Sequence, residues 1–172
     1  CETCPQYFTL TEDEVLVQGS LARVNPPLRT AQDVKGIIAG LKDGTIDAIA
    51  TDHAPHSAEE KARPLVRAPS GMIGLETSLA ITLTQLYHTG KMELPEIIRR
   101  MSTNPSDILH LPKGRMSLGV DGDLTIFDPN EEWTVDPERF ASKARNTPFG
   151  GWKVKGRVKY TIVKGRVIYR QA

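Results

Sequence analysis

The sequence contains no long apolar run and no large excess of charge of either sign. None of its hydrophobic stretches approaches the roughly 18 residues of a membrane-spanning helix, and none has the form of a signal peptide. Its 22 Lys and Arg residues nearly balance its 21 Asp and Glu residues, so the net charge is +1. We therefore expect neither membrane insertion nor an overall charge that attracts nucleic acid.

Cysteine is scarce, since the chain has only Cys1 and Cys4. Their CxxC spacing is compatible with a redox pair or with half of a metal site. There is no second cysteine pair to complete a structural zinc site, so we favour two small buried thiols. Two cysteines without a disulfide framework are typical of the reducing cytoplasm, which is the predicted location.

What the chain does contain is typical of a globular protein. It has 172 residues, of which 39% are hydrophobic and 25% charged. These values allow one hydrophobic core, or one core with a small annex. The sequence opens at Cys1 rather than Met and has no lead-in. We therefore expect it to be part of a longer protein.

The beginning of the chain predicts a strand followed by a short helix. Residues 1–10 are apolar and aromatic enough for a strand. Thr11 and Glu14 match a capping box, with Thr11 as the N-cap. The helix would then stop at Gly19.

A better-defined helix and a buried strand follow a proline-containing loop at residues 23–29. Thr30 is the expected N-cap and Gly44 the expected C-terminal stop, with apolar residues at helical spacing between them. Residues 46–50 then form an apolar run that predicts a buried strand. Residues 1–52 therefore indicate a βα unit of a parallel sheet.

Three more helices are expected in the middle of the chain. The first runs from about Leu75 to Tyr87, the second starts at Leu94 with Pro95 at its first position, and a short third one starts at Asn104-Pro105. The loop at residues 68–74 carries two glycines, which serve either a turn or close approach of the backbone to a ligand.

From Gly114 onward the pattern predicts a small antiparallel β module, with Lys164-Gly165 as a two-residue hairpin turn. One face of it carries seven basic residues: Lys153, Lys155, Arg157, Lys159, Lys164, Arg166 and Arg170. Nucleic-acid binding through this stripe is one interpretation. A solvated strand face is favoured, because no aromatic residues are interleaved for stacking on bases.

The chemistry is expected where the strand at residues 46–50 ends, in the sequence Ala-Thr-Asp-His-Ala-Pro-His of residues 50–56. Enzymes with α/β folds keep functional residues at such strand ends. Asp52 is suited to be a metal ligand or a base, while His53 and His56 are suited to be ligands or donors to a substrate carboxylate. An Asp that merely caps the following loop stays open on spacing alone.

The sequence resembles the carboxyl-terminal part of the dihydroorotases, cyclic amidohydrolases of the amidohydrolase superfamily. The resemblance spans nearly the whole chain in the family's order, and ATDHAPH followed by GLET is its most specific part. The matching segments are residues 25–29 (NPPLR), 47–56 (DAIATDHAPH), 60–61 (EK), 71–77 (GMIGLET), 104–105 (NP), 122–124 (GDL) and 146–149 (NTPF) through 155–158 (KGRV).

The resemblance implies an α/β fold, a metal-dependent (β/α)₈ TIM barrel followed by a small β-sandwich. Residues 1–112 would be a partial barrel domain with about strands seven and eight and their helices, and residues 113–172 would be the sandwich segment. A full barrel needs roughly 250 residues, so the amino-terminal half of the barrel would be a required partner. We expect the chain alone to be inactive.

The implied activity is the reversible cyclisation of N-carbamoyl-L-aspartate to dihydroorotate in pyrimidine biosynthesis, with one or two zinc ions as cofactor. By resemblance, Asp52 binds metal and carries the proton of the attacking hydroxide. His56 holds the substrate carboxylate, Asn25 binds substrate, and the backbone at Gly71 meets the pyrimidine ring. His53 has no implied role. The family's other metal ligands and its substrate arginine would precede Cys1.

The resemblance leaves two alternative functions open and also implies partners. Residues 2–7 (ETCPQY) are more like the corresponding strand of hydantoinases and dihydropyrimidinases, which cleave related cyclic amides. A non-catalytic dihydroorotase-like chain that binds a partner is the other alternative, although Asp52, His56 and Asn25 are all intact. The family also implies a homo-oligomer or association with aspartate carbamoyltransferase.

Overall fold

The computed structural model describes residues 1–171. It contains six α-helical segments and five strands within that range. The strands are β1 (Glu2–Thr3), β2 (Ala48–Ile49), β3 (Leu124–Thr134), β4 (Lys153–Val163) and β5 (Arg166–Arg170). The helices are α1 (Glu14–Gln18), α2 (Ala31–Asp43), α3 (Ala58–Lys61), α4 (Ser78–Thr82), α5 (Leu94–Ile98) and α6 (Asn104–Ile108).

The expected strand–helix–strand unit is confirmed, because β1 and β2 pair in parallel and α2 lies between them in the sequence. Both strands are shorter than predicted. The chain leaves β1 after Thr3 and forms a 3₁₀ turn over Pro5–Phe8, where proline has no amide for a strand ladder. The backbone pairing extends slightly beyond β2, since the Ala50 amide donates to the Thr3 carbonyl at 2.8 Å.

The two capping predictions have different outcomes. In α2, Thr30 and Asp33 form a reciprocal capping box and Gly44 ends the helix with φ of 93°, as predicted. In α1 the predicted capping box is wrong, because the helix begins only at Glu14 and Thr11 bonds the Asp13 carboxylate at 3.4 Å.

The helices in the middle of the chain contain π-helical turns in addition to their α-helical segments. Helix α4 begins at Ser78 rather than Leu75 and continues as a π-helical turn over Leu83–Tyr87. Helices α5 and α6 are joined without a break by a π-helical turn over Arg99–Thr103, so Asn104-Pro105 does not start a separate helix as predicted. The Asn104 amide donates to the Arg99 carbonyl. The wide turn thus accommodates a proline ring that would otherwise break the helix.

The carboxyl-terminal strands form an antiparallel sheet in the order β3-β4-β5. The predicted hairpin turn is confirmed, with Lys164 and Gly165 at φ of 49° and 74°. Lys159 pairs with Glu131, and the Arg157 guanidinium lies 4.3 Å from the centroid of the Trp133 ring. Part of the basic stripe is therefore already engaged within the protein.

Two clusters of buried apolar residues form the core. The first joins the loops before α2, helix α4 and the carboxyl-terminal region, and comprises Leu10, Ala22, Val24, Leu28, Met72, Ala80, Ile81, Val135, Phe149 and Val154. The second joins α2, β2, α4 and α5, and comprises Phe8, Leu41, Ile46, Ile49, Leu83, Leu86, Met92 and Ile97. Because the first cluster draws on both sides of residue 112, the division into domains at that point stays a prediction.

No helix within residues 1–171 is both long enough and apolar enough to cross a membrane.

Candidate active site

Asp52 lies just beyond the carboxyl end of β2, with its side chain exposed. Its φ of 47° is in the left-handed region, which few residues other than glycine adopt but which Asp tolerates. Within residues 1–171 its carboxylate accepts no hydrogen bond. A free carboxylate at a strand end can serve as a metal ligand or as a proton carrier.

Cys4 and Tyr7 face the negative charge of Asp52. Burial, followed by the charges of Asp52 and Glu2, raises the pKa of the Cys4 thiol to about 12. Burial and then Asp52 likewise raise the pKa of Tyr7 to about 12. Both groups are therefore neutral at physiological pH. Cys4 is a buried free thiol as predicted, whereas Cys1 is free and exposed, so the prediction of two buried thiols is wrong for Cys1.

Asn25 lies in the extended loop that the prolines predicted, and its side chain is exposed. The Asn25-Pro26 peptide bond is cis. Tyr7 anchors this loop, because its hydroxyl donates to the Pro26 carbonyl at 3.0 Å. Tyr7 thus connects the Asn25 loop with the surroundings of Asp52, and the Asn25 amide makes no hydrogen bond within the described part of the chain.

His53 joins the end of β2 to the glycine-containing loop. Its Nδ1 accepts hydrogen bonds from the amides of Gly74 at 3.1 Å and Leu75 at 3.3 Å. Beside it, His53 and Met72 form a parallel bridge, and the Ala54 amide donates to the Met72 carbonyl at 2.9 Å. Since Nδ1 is an acceptor, the proton of the neutral ring is on Nε2.

His56 is half-buried between two loops. Its Nε2 lies 3.0 Å from the Ser70 carbonyl, which can only accept, so Nε2 carries the proton. Its Nδ1 is 4.0 Å from the Glu60 carboxylate. Glu60 is itself held by a reciprocal capping box with Ser57 at the start of α3. The His56 ring is therefore oriented on both edges by the protein.

Gly71 packs directly against this histidine. Its φ is 130°, and a Cβ atom there would lie 2.5 Å from the Ala54 Cβ and 3.2 Å from the His56 Nε2. Only glycine fits this backbone and this space. Its amide donates to the Arg23 carbonyl at 2.9 Å, and its carbonyl accepts from Lys61 and Asn146. The backbone polar groups of Gly71 are thus bonded within the protein, and contact with a substrate stays a prediction.

Sequence reasoning assigned no role to Lys61, although it lies next to the site. Its side chain is only 4% exposed, and its ammonium donates to the carbonyls of Pro69 and Gly71 at 3.0 Å each. Burial, followed by the charge of Arg23, lowers the pKa of Lys61. The segment at residues 60–61 belongs to the family resemblance, but it gave no role for Lys61, because the partners of Lys61 come from another loop and are identified only once the chain is folded.

Asn146 is the second residue whose role sequence reasoning missed. It belongs to the segment NTPF and is buried beside His56, some ninety positions later in the chain, with hydrogen bonds to both loops of the site. The segment itself was visible in the sequence. Its position at the site was not, because it depends on how the carboxyl-terminal region packs on the rest.

The predicted site residues come together in part. His56 and Gly71 lie side by side, since a Cβ atom at Gly71 would be 3.2 Å from the His56 Nε2, and Asp52 lies four residues before His56 on the same loop. Within residues 1–171 no group of three or more His, Cys, Asp and Glu side chains could hold a metal ion. The free, exposed carboxylate of Asp52 fits a single ligand of a metal centre, whereas the Nδ1 atom of His53 is already occupied.

Comparisons with known proteins identify the family of the chain. Residues 12–168 match the sequence pattern of the amidohydrolase family. The chain is 50% identical to a dihydroorotase of Wolbachia sp. subsp. Brugia malayi, over 99% of this chain and 38% of that protein. It is 51% identical to a dihydroorotase of Clostridioides difficile, over 98% and 39% respectively.

A solved structure gives the same result for the fold. The L-hydantoinase (dihydropyrimidinase) from Arthrobacter aurescens superimposes with a TM-score of 0.92 at 32% identity, over 100% of this chain and 39% of that one. The chain thus spans about two fifths of the length of these relatives. Because the family pattern matches most of the length of this chain, the chain belongs to the amidohydrolase family.

Proposed function

We propose that this chain is the carboxyl-terminal part of a zinc-dependent dihydroorotase, which interconverts N-carbamoyl-L-aspartate and dihydroorotate. The observation that carries the proposal is the free Asp52 carboxylate at the end of β2, on the loop that also presents His56 to Gly71. Identity of about half over nearly the whole chain to dihydroorotases supports this substrate.

The proposal includes the finer architecture. Strands β1 and β2 are assigned as the seventh and eighth strands of a (β/α)₈ barrel, with α2 between them, and the β3-β4-β5 sheet as part of a β-sandwich. The parallel pairing of β1 with β2 and the antiparallel order of the later strands support this assignment. Chain beyond these residues would supply the other barrel strands.

Asp52 is the residue of this chain that would hold zinc, together with ligands from the rest of the protein. Zinc, when bound, supplies Lewis-acid polarisation of the scissile amide carbonyl and acidifies water. The Asp52 carboxylate takes the proton from the attacking water and passes it to the amide nitrogen that leaves. Its exposure and its lack of hydrogen-bond donors within residues 1–171 leave both oxygens available for these tasks.

His56 and Asn25 would bind the substrate. His56 would face the substrate carboxylate, while the Ser70 carbonyl and the Glu60 carboxylate orient its ring. The exposed Asn25 amide can bond the polar edge of the pyrimidine ring. Gly71 keeps the loop close to His56, because no side chain intervenes.

Hydantoinase or dihydropyrimidinase activity is the second candidate. The superposition on the Arthrobacter L-hydantoinase and the ETCPQY segment at residues 2–7 favour it. The two candidates differ in the substrate, because dihydroorotate carries a carboxylate that dihydrouracil and hydantoin lack. A site built around His56 as a carboxylate-binding residue favours dihydroorotate.

The test uses the full-length protein that contains this chain. Hydrolysis of dihydroorotate, dihydrouracil and hydantoin is measured before metal removal, after chelation and after zinc is restored. We expect kcat/KM to be at least about a hundredfold higher for dihydroorotate, and activity to disappear with chelation and return with zinc. Preference for dihydrouracil or hydantoin would favour the second candidate, and full activity without metal would contradict the role of zinc.

The remaining elements of the proposal concern the complete protein. We propose that it functions in the cytoplasm, as a homo-oligomer or in association with aspartate carbamoyltransferase. Two features support contact with further protein. One is the short two-stranded β1-β2 sheet, and the other is a set of exposed apolar residues such as Leu118 and Val66. Size-exclusion chromatography with light scattering on the full-length protein measures the assembly.

A further inference from the structure

Asn146 reaches the candidate site from the carboxyl-terminal region. It lies in the segment between β3 and β4, and it is 4% exposed. Its Nδ2 donates to the Ala54 carbonyl at 3.0 Å and to the Gly71 carbonyl at 3.2 Å. One buried amide group thus binds the loop after β2 and the glycine-containing loop at the same time.

The other atoms of Asn146 are bonded to the same two loops. Its Oδ1 accepts from the backbone amide of His56 at 3.1 Å, and its own carbonyl accepts from the Ile73 amide at 3.0 Å. A primary amide has two donor hydrogens and an acceptor oxygen, and here each has a partner. The assignment of oxygen and nitrogen is therefore fixed by chemistry, since the partners are two carbonyls and one N–H group.

The segment that carries Asn146 is held in place without any ligand. The Glu76 carboxylate accepts from the amides of Ala141 at 3.0 Å and Ser142 at 3.1 Å. On the other side of Asn146, Phe149 is 2% exposed and belongs to the first core cluster. The chain is therefore held in place both before and after Asn146, as a residue that positions others requires.

We propose that Asn146 is a positioning residue for recognition of the substrate carboxylate, and that it acts through His56. It fixes the His56 backbone by one bond and, by another, the Gly71 backbone, which has no room for a Cβ atom beside the His56 ring. Without it the His56 amide and the Ala54 carbonyl lose their partner and the Gly71 carbonyl keeps only Lys61, so the loops separate or rearrange around water. The inference rests on the proposed dihydroorotase function, because it concerns how that enzyme binds its substrate.

Removal of this tether is expected to affect substrate binding more than the chemical step. Asp52 is placed by β2 and by its own backbone, and Asn146 does not contact it. Loss of positioning at His56 weakens an interaction with a carboxylate that does not react, so KM rises while kcat changes little. A purely structural role would instead lower the amount of folded enzyme and leave the KM of the folded fraction unchanged.

The experiment compares Asn146→Ala with wild type in the full-length zinc-loaded protein. We expect KM for dihydroorotate to rise about tenfold or more, with kcat within about threefold of wild type and zinc content unchanged. Asn104→Ala is the matched control. The side-chain amide of Asn104 also donates to a backbone carbonyl, that of Asp47 at 2.8 Å, but at the opposite end of β2. This variant should leave KM unchanged.

A double-mutant cycle tests the route through His56. In a His56→Ala background, Asn146→Ala should change KM by less than about twofold. An equal rise of KM with and without His56 would overturn the proposal, as would an unchanged KM in Asn146→Ala. If Asn146→Ala fails to fold, Asn146→Asp keeps the size and the acceptor for the His56 amide but removes both donors.

Asn146→Asp should also raise KM at least about tenfold, because it loses two hydrogen bonds and places a negative charge beside the carboxylate site. An unchanged KM in this variant would refute the positioning role. Turnover of dihydroorotate by the wild-type protein separates the two proposals. A wild-type enzyme without that turnover would reject the proposed function and this inference with it, whereas an active wild type with an unaffected Asn146→Ala rejects the inference alone.

Discussion

The Nδ1 atom of His53 lies 3.1 Å from the amide nitrogen of Gly74, and this bond closes the loop after β2 onto the loop before α4. The imidazole accepts a second bond from Leu75 at 3.3 Å. His53 therefore satisfies two backbone donors near the start of a helix, much as an N-cap side chain does. It supports the site without contacting Asp52 or His56 through hydrogen bonds in the described residues.

Substitution of His53 should reveal this support. His53→Leu leaves two amides without an acceptor and should lower the free energy of unfolding by about 1–3 kcal/mol. His53→Asn keeps an acceptor oxygen near the position of Nδ1 and should retain most of the stability. Urea unfolding of the full-length variants measures the difference, and equal stability of the two variants would contradict the role of Nδ1 as an acceptor.

Replacement of Asp52 should impair the chemical step. Asp52→Asn removes the proton carrier and a charged metal ligand, so we expect kcat to fall by about 10²–10⁴. Asp47→Asn, at the other end of β2, provides the control and should keep kcat within about threefold of wild type. Zinc content measured in parallel distinguishes loss of metal from loss of proton transfer. Wild-type kcat in Asp52→Asn would contradict the assignment.

Gly71 should not tolerate a side chain. Gly71→Ala forces a Cβ to 2.5 Å from the Ala54 Cβ at a φ of 130°, so we expect a loss of about 1–3 kcal/mol of stability and a higher KM. Gly90→Ala is the control for backbone strain alone, because Gly90 has φ of 66° and open space around it. Adding Ala54→Gly to Gly71→Ala removes one of the clashing methyl groups and should restore part of the lost stability.

Cys4 should make the stability depend on alkaline pH. Its pKa is raised from 9.0 in the free group to about 12 by burial and by Asp52. Above pH 9 the unfolded chain loses this proton more readily than the folded one, so the stabilising contribution is complete below pH 9 and is lost as the pH rises toward 12. Cys4→Ala should flatten the decline between pH 9 and 11 in urea titrations.

The exposed thiol of Cys1 provides the control for this pH dependence. Cys1→Ala removes a thiol that is exposed rather than buried, and it should leave the alkaline decline as steep as in wild type. The two thiols should also differ in reactivity, with Cys1 alkylated readily at pH 8 and Cys4 protected by burial. Rapid alkylation of Cys4 in the folded protein would contradict its placement.

Much of the local structure was accessible from the sequence. The capping residues Thr30 and Gly44 delimit α2, because a hydroxyl acceptor and a left-handed glycine act within one helical turn. The Lys164-Gly165 turn followed from chain geometry in the same way. The failures also have local causes. Pro5 ended the first strand early, and a widened helical turn carried α5 past Pro105 instead of starting a new helix.

The residues of the site also divide into those that the sequence identified and those that only the structure identified. The motif ATDHAPH identified Asp52 and His56 because strand, acid and histidines are consecutive in the chain, and the family membership follows from sequence order alone. Lys61, Asn146 and the acceptor role of His53 depended on tertiary structure, since each bonds backbone groups of another loop. Backbone amides and carbonyls are the same at every residue. Their partners therefore leave no signature in the sequence, and only the folded chain decides them.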